Sequence, residues 1–121
     1  MSDQAIEKEI QAKGLNAPRV TPAMIEATIS CEHSFTAGDA LRALGYDADP
    51  SFDLLTLSVI KTVNGFTLIG ESACASPENF DAEIGAKIAR ENAKNKIWPL
   101  EGYLLKSKLW AQSAAVNPAP V

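Results

Sequence analysis

The segment LLTLSVIKTVNGFTLIGES, residues 54–72, decides the fold of this chain. Two runs rich in β-branched and large apolar residues lie on either side of Asn64-Gly65. An Asn-Gly pair in that setting is the strongest short-range sign of a type I′ hairpin, in which both turn residues adopt positive φ. The pattern therefore predicts antiparallel strands over about 54–62 and 66–72.

A two-residue turn also predicts which side chains share a face of the hairpin. It would pair Val63 with Phe66 and Lys61 with Leu68. Because side chains alternate between the two faces of a strand, one face would be mainly apolar and the other half polar. The apolar face, which we expect to form the core, would carry Leu55, Leu57, Val59, Val63, Phe66 and Leu68. The half-polar face would carry Thr56, Ser58, Ile60, Thr62, Thr67, Ile69 and Glu71.

Helical patterns precede the hairpin. The spacing of apolar residues and the following Gly14 predict a helix over 3–13. Thr21-Pro22 places an N-cap before a proline at the first helical position, which opens a second helix. We assign Met24, Ile25, Ile29 and Phe35 to the apolar face of that helix. A third, short helix is predicted over 37–44 and ends at Gly45.

Two further helices are predicted after the hairpin. Ser76-Pro77 marks the start of a helix over about 77–96, and Pro99 opens a last helix over about 99–110. The inward side chains would be Phe80, Ile84 and Ile88 in the first, with small alanines beside them, and Leu100, Tyr103, Leu104 and Leu109 in the second. We therefore expect a single α+β domain over residues 1–110, in which several α-helices cover one antiparallel β-hairpin and a two-helix hairpin ends the fold. Residues 111–121 read as a C-terminal tail.

Composition and charge exclude several classes of protein. The net charge is −4, which argues against non-specific nucleic-acid binding. The charge is uneven, with five Lys/Arg against thirteen Asp/Glu in residues 1–84 and six against two in residues 85–121. No apolar run reaches the length of a membrane span, and the charged N-terminus is unlike a signal peptide. We expect a cytoplasmic protein.

The metal-ligating residue types are sparse. Cys31, Cys74 and His33 are the complete set of Cys and His residues. Their spacing matches no zinc motif, and no glycine-rich phosphate loop is present. We therefore expect no metal and no cofactor.

The junction after the second strand, GESAC at residues 70–74, resembles the turn that presents a nucleophilic serine in G-x-S-x-G enzymes. That turn needs a glycine on each side of the serine, and Cys74 stands where the second glycine is required. A small hydrolase that uses Ser72 or Cys74 is thus one hypothesis, but the constellation is incomplete. Nearby acids, Glu71, Glu78, Asp81 and Glu83, are a second candidate cluster, although acids at a helix start also stabilise its dipole.

A basic helix and two aromatic residues form another candidate site. Lys87, Arg90 and Lys94 follow one another along the predicted helix, and Trp98 and Tyr103 flank the next helix start. Cations together with a stacking aromatic would suit an anionic nucleotide. Aromatics at a helix corner also serve packing or a protein partner. The candidate ligand- or partner-binding residues are Glu71, Ser72, Lys87, Arg90, Lys94, Trp98 and Tyr103.

Residues 64–109, NGFTLIGESACASPENFDAEIGAKIARENAKNKIWPLEGYLLKSKL, resemble the core of a family of small tailed-phage proteins named after gene products forty-nine and sixty-six of two podophages. The resemblance extends to IEKEIQAKGLNAPRVTPAMIEATI in the N-terminal part and is weakest over 34–52. It implies a phage or prophage accessory protein that acts inside the bacterial cell. It implies no catalytic residues.

Three functions are compatible with these features. The first is a non-enzymatic phage accessory protein that binds and neutralises a host factor, such as a component of antiviral defence. The second is an oligomeric sponge for a small anionic nucleotide, and the third is the hydrolase built on Ser72 or Cys74. A lone hairpin is marginally stable and leaves its edges unpaired, so we expect a homo-oligomer in which an edge or a face packs against a second copy.

Overall fold

The computed structural model describes residues 2–116. The elements of that part of the chain are α1 (Asp3–Ala12), α2 (Pro22–Thr28), β1 (Ile29–Thr36), α3 (Ala37–Ala43), β2 (Leu55–Thr62), β3 (Thr67–Ala73), α4 (Ala82–Asn95) and α5 (Ile97–Val116), with short 3-10 helices at Pro50–Leu54 and Pro77–Asn79. The chain forms two compact units. One comprises Thr28–Lys96, and the other combines the described residues 2–27 and 97–116. The mixed α+β class is as predicted, and the single-domain boundary at residue 110 stays a prediction.

The sheet has three antiparallel strands in the order β1-β2-β3. The predicted hairpin is β2 and β3, and β1 pairs with the other side of β2, with Phe35 opposite Leu57. The prediction that Ile29 and Phe35 belong to the second helix is wrong, because both lie in β1. In the segment 29–36 polar residues at the even positions (Ser30, Glu32, Ser34, Thr36) alternate with Ile29, Cys31, His33 and Phe35 at the odd ones, and this period of two favours a strand once β2 is available to pair with it.

The turn of the hairpin is longer than predicted. The Thr62 N–H donates to the Phe66 carbonyl at 2.8 Å, so the loop between them is 63–65. Gly65 adopts a positive φ of 86° and Asn64 does not, which excludes the type I′ turn. The Asn64 side chain instead accepts from the Thr62 hydroxyl at 2.6 Å. A three-residue loop that ends in a left-handed glycine is the next commonest hairpin connection, and it shifts the predicted register by one residue.

Along β2 the buried face is the predicted half-polar one, so the predicted core face is wrong for this strand. Because of the register shift, Leu68 of β3 joins the covered face, whereas Thr67, Ile69 and Glu71 lie on the open face. Along β2 the buried side chains are Thr56, Ser58, Ile60 and Thr62, and α4 packs over them. The covered face carries Glu32, Ser34, Thr56, Ser58, Ile60, Thr62, Leu68, Gly70 and Ser72. The open face carries Cys31, His33, Phe35, Leu55, Leu57, Val59, Lys61, Thr67, Ile69 and Glu71. Val63 and Phe66, which we expected in the core, are exposed at the turn.

Small side chains explain why α4 lies on the half-polar face. Ala89 and Ala93 are fully buried against the sheet. A Cβ atom on Gly70 would lie 2.8 Å from Ala93 Cα and closer still to the Ala89 carbonyl oxygen. The backbones of β3 and α4 therefore approach as closely as glycine and alanine allow, and larger side chains at Gly70, Ala89 or Ala93 would prevent that approach. The prediction that Ile84 and Ile88 point inward is wrong, because both remain about half exposed.

The boundaries of the last two helices differ from the predictions by a few residues. Asp81, not Ser76, caps α4, because its carboxylate accepts from the Ile84 N–H at 2.9 Å while the Ser76 side chain makes no cap. Helix α5 begins at Ile97, two residues before Pro99, and continues to Val116. The predicted tail is thus helical up to Val116, and residues 117–121 lie outside the described residues.

The N-terminal part of the chain is stabilised by local caps and by ion pairs, among them Lys13–Glu9 at 3.2 Å. Ser2 caps α1 by accepting from the Ala5 N–H at 3.2 Å, and Thr21 caps α2 as predicted. Arg19 forms a bidentate pair with the Glu7 carboxylate, in which Nη2 lies 2.7 Å from Oε2. The hydrogen bonds from Arg19 lower the pKa of Glu7.

Candidate functional site

The structure places the two candidate nucleophiles on the α4 side of the sheet. Ser72 pairs with Thr56 on the covered face, and the Cys74 thiol donates to the Ser76 carbonyl at 3.2 Å. A recess of about 170 Å³ lies beside them, against the first turns of α4. His33 belongs to the open face, so the sheet separates it from Ser72. The arrangement does not bring a histidine base to Ser72, and the hydrolase hypothesis stays a prediction without geometric support.

The acids around this junction have structural roles or point apart. Asp81 caps α4, and Glu83 pairs with Lys87 at 3.3 Å. Glu71 is exposed on the open face, away from Asp81. Within residues 2–116 no group of three or more His, Cys, Asp or Glu side chains is arranged to hold a metal ion.

The basic side chains of α4 each face a carboxylate. Besides the Lys87–Glu83 pair, Arg90 Nε donates to Glu32 Oε2 at 2.7 Å, and Lys94 lies 3.1 Å from Glu91. Each of these cations therefore has a carboxylate partner. A basic pocket for a nucleotide gains no support from this arrangement, because an anionic ligand would have to compete with three carboxylates. The predicted aromatic partners, Trp98 and Tyr103, belong to α5 in the other compact unit.

Helix α5 carries four large apolar side chains that are exposed. Tyr103 is 75% exposed, Trp110 69%, Leu104 47% and Leu100 40%. At about 100° per residue, these four positions lie within an arc of roughly 120°. We call this surface the α5 stripe. Our prediction that Leu100, Tyr103 and Leu104 point inward is wrong for this face.

The sequence of α5 explains why its inward face was predicted wrongly. Trp98, Leu105 and Leu109 form a second apolar row with helical spacing, and their side chains are the half-buried ones. A helix with two apolar rows shows no single amphipathic face, so periodicity cannot decide which row is inside. Trp110 was not among the predicted site residues. The signal that finds it is the i, i+7 spacing from Tyr103, which places both aromatics on one side.

The open face of the sheet offers a second surface. A shallow cavity of about 350 Å³ lies on it, with Cys31, His33, Val59, Lys61 and Ile69 in its lining. The lining is mainly apolar, with Lys61 at one end. The cavity lacks a cluster of charges that would orient a small polar ligand, so it fits an apolar side chain of a partner better than a metabolite.

The resolved pKa shifts within residues 2–116 fall on structural contacts. The pKa of Asp49 is lowered by the hydrogen bond that its carboxylate accepts from the Ser51 N–H at 2.8 Å, in the cap of a 3-10 helix. The pKa values of Glu7 and Arg19 shift in opposite directions because of their bidentate pair. These groups are not part of either exposed surface.

Comparison with known proteins supports the family resemblance. None of the described helices is long and apolar enough to cross a membrane. No curated protein and no solved structure matches the chain significantly. The model of one protein family matches residues 20–109, about three quarters of the sequence, including β1, the hairpin and most of α5. The chain belongs to the phage protein (N4 Gp49/phage Sf6 gene 66) family.

Proposed function

We propose that this phage accessory protein is non-enzymatic, and that it acts inside the infected bacterial cell by binding and neutralising a host protein through the α5 stripe. The observation that carries the proposal is the exposure of Tyr103 and Trp110 beside Leu100 and Leu104 on one face of a 20-residue helix. Tyrosine and tryptophan are the residues that most often dominate the energy of protein interfaces.

The geometry suits a partner with an apolar groove. A helix that binds in a groove presents anchors at i, i+3, i+4 and i+7 spacing. In the α5 stripe, Leu100, Tyr103 and Leu104 have the i, i+3, i+4 spacing, and Trp110 follows Tyr103 by seven residues. Complete burial of one large apolar side chain contributes about 1.5–3 kcal/mol. Because the four side chains are already partly buried, their gross contribution would be about 3.5–7 kcal/mol. The two aromatics are the most exposed and should supply most of it.

Affinity capture from lysate of a susceptible host tests the proposal. Each captured protein would be purified, and its affinity for wild type would be compared with that of the double variant Tyr103→Ala/Trp110→Ala. We expect the double variant to bind at least tenfold more weakly, and wild type to inhibit the activity of the partner. A matched control is Ile84→Ala on α4, which removes a side chain that is 56% exposed but lies outside the stripe. Its affinity should equal that of wild type.

Two results would contradict the proposal. Equal binding by wild type and the double variant would exclude the α5 stripe as the interface. A large thermal shift with a nucleotide, in a protein that captures no host protein, would favour the sponge hypothesis instead.

A further inference from the structure

The two edges of the sheet differ in how they are protected. On the outer edge of β3, Lys96 Nζ donates to the Ile69 carbonyl at 2.6 Å and Asn92 Nδ2 donates to the Glu71 carbonyl at 2.8 Å. Side chains from α4 and its C-cap thus occupy carbonyls that another strand would need. This edge is blocked in the way that natural sheets avoid uncontrolled pairing.

The outer edge of β1 has the opposite character. All six residues from 30 to 35 are exposed, and the strand contains neither proline nor lysine. The direction of the backbone N–H and C=O groups alternates from one residue of a strand to the next. The Val63 N–H donates to the Thr28 carbonyl, so the backbone groups of the odd-numbered residues of β2 point toward β1. These residues pair with Cys31, His33 and Phe35, whose backbone groups point back toward β2. The N–H and C=O groups of Glu32 and Ser34 therefore point outward.

We propose that a second copy of this chain pairs with β1 in an antiparallel register centred on His33, so that two three-stranded sheets become one six-stranded sheet. The outward groups of Glu32 would then exchange hydrogen bonds with those of Ser34 in the other copy. His33 would lie opposite His33 of the other copy as a non-hydrogen-bonded pair, and Cys31 would lie opposite Phe35.

Charge and overlap favour a second copy in this register. Centring the pair on Glu32 would place two carboxylates directly opposite each other, which destabilises a sheet. Centring it on Ser34 would shorten the overlap, because β1 ends at Thr36 where α3 begins. The His33-centred register uses nearly the whole strand and keeps each Glu32 opposite a neutral serine. In this register the open faces of the two copies would also form one continuous surface, with Cys31 of each copy opposite Phe35 of the other at the junction. This inference goes beyond the proposed function and does not depend on it.

A cysteine at the symmetry axis tests the register directly. His33→Cys is introduced into a chain that also carries Cys31→Ser and Cys74→Ser, and the protein is oxidised mildly at low concentration. Directly opposed residues of a non-hydrogen-bonded pair are close enough for a disulfide. We expect most of the protein to become a covalent dimer within the time in which a control, Lys87→Cys in the same background, gives only traces. Equal cross-linking of the two variants would overturn the register.

Charge variants at Ser34 give a second, independent readout. Analytical ultracentrifugation should show a dimer for wild type. Ser34→Lys should tighten the dimer severalfold, because the ammonium group would face Glu32 of the other copy, and Ser34→Glu should weaken it at least tenfold. Circular dichroism confirms that each variant is folded. A wild type that stays monomeric at the highest concentration tested, or shifts of the same sign for both variants, would overturn the proposal. If wild type is monomeric but still binds a host protein, the dimer proposed here is overturned and the proposed function is not.

Discussion

The contact between β3 and α4 can be tested by adding one methyl group. Gly70 lies in β3 where its backbone meets Ala89 and Ala93 of α4. In Gly70→Ala the new Cβ would stand 2.8 Å from Ala93 Cα and closer still to two backbone atoms of the helix, whereas ordinary contacts begin at 3.4 Å. Backbone atoms cannot rotate away, so α4 must move off the sheet.

The expected loss of stability in Gly70→Ala follows from this displacement of α4. Overpacking a tight interface destabilises a protein by about 1–3 kcal/mol. The new clash involves backbone, and moving α4 also loosens the packing of Ala89 and Ala93, so the upper end of that range applies. Replacing glycine by alanine in a strand recovers about 0.5 kcal/mol of conformational entropy. We therefore predict a net loss of about 2–3 kcal/mol in the free energy of unfolding, equivalent to roughly 8–12 °C in Tm.

Thermal and urea unfolding followed by far-UV circular dichroism measures this loss. Tryptophan fluorescence alone would not suffice, because Trp98 and Trp110, the only tryptophans, both lie on α5. The matched control is Gly102→Ala in α5, where a new Cβ would have no neighbour within 4 Å. The same substitution there should raise stability by about 0.5–1 kcal/mol, since alanine is the better helix former.

Stability of Gly70→Ala equal to that of wild type would refute the reasoning, because it would mean that β3 and α4 do not approach within glycine–alanine distance. An equal loss in Gly70→Ala and Gly102→Ala would also refute it, since only one of the two sites is crowded.

The remaining predictions concern a buried hydroxyl, an ion pair and the hairpin turn. Ser58 is fully buried and its Oγ makes no hydrogen bond within the described residues, so Ser58→Ala should raise the free energy of unfolding by about 1 kcal/mol; a loss of that size would show that the hydroxyl has a partner. The pKa of Glu7 is lowered by Arg19, so this pair stabilises the fold above the unfolded-state pKa, and the contribution disappears as the pH falls through the lower folded-state pKa. The Tm difference between wild type and Glu7→Gln should therefore be present at pH 7 and vanish in acid, and a constant difference would contradict the assignment. Gly65 has a φ of 86° with open space around it, so Gly65→Ala should cost about 1 kcal/mol and Gly65→Asn less, as measured by urea unfolding.

The candidate surfaces show why sequence reasoning about function was only partly successful. Tyr103 was predicted as a site residue from its place in a distinctive segment, and it is exposed on the α5 stripe. The basic residues of α4 were grouped correctly on one helix, but their carboxylate partners were not foreseen. Arg90 pairs with Glu32, which is 58 residues away in the sequence, and such a contact leaves no local signal.

The sequence by itself determined the local structure of this protein. The hairpin at Asn64-Gly65, the cap at Thr21 and the helix ends at Gly14 and Gly45 depend on backbone preferences and hydrogen bonds within a few residues, so their position could be predicted. Only the tertiary structure decided that 29–36 is a third strand and that α4 covers the half-polar face. Which face of this sheet α4 covers depends on how closely the backbones of β3 and α4 can approach. Here glycine and alanine at that contact outweighed the stronger hydrophobicity of the leucines and valine on the opposite face.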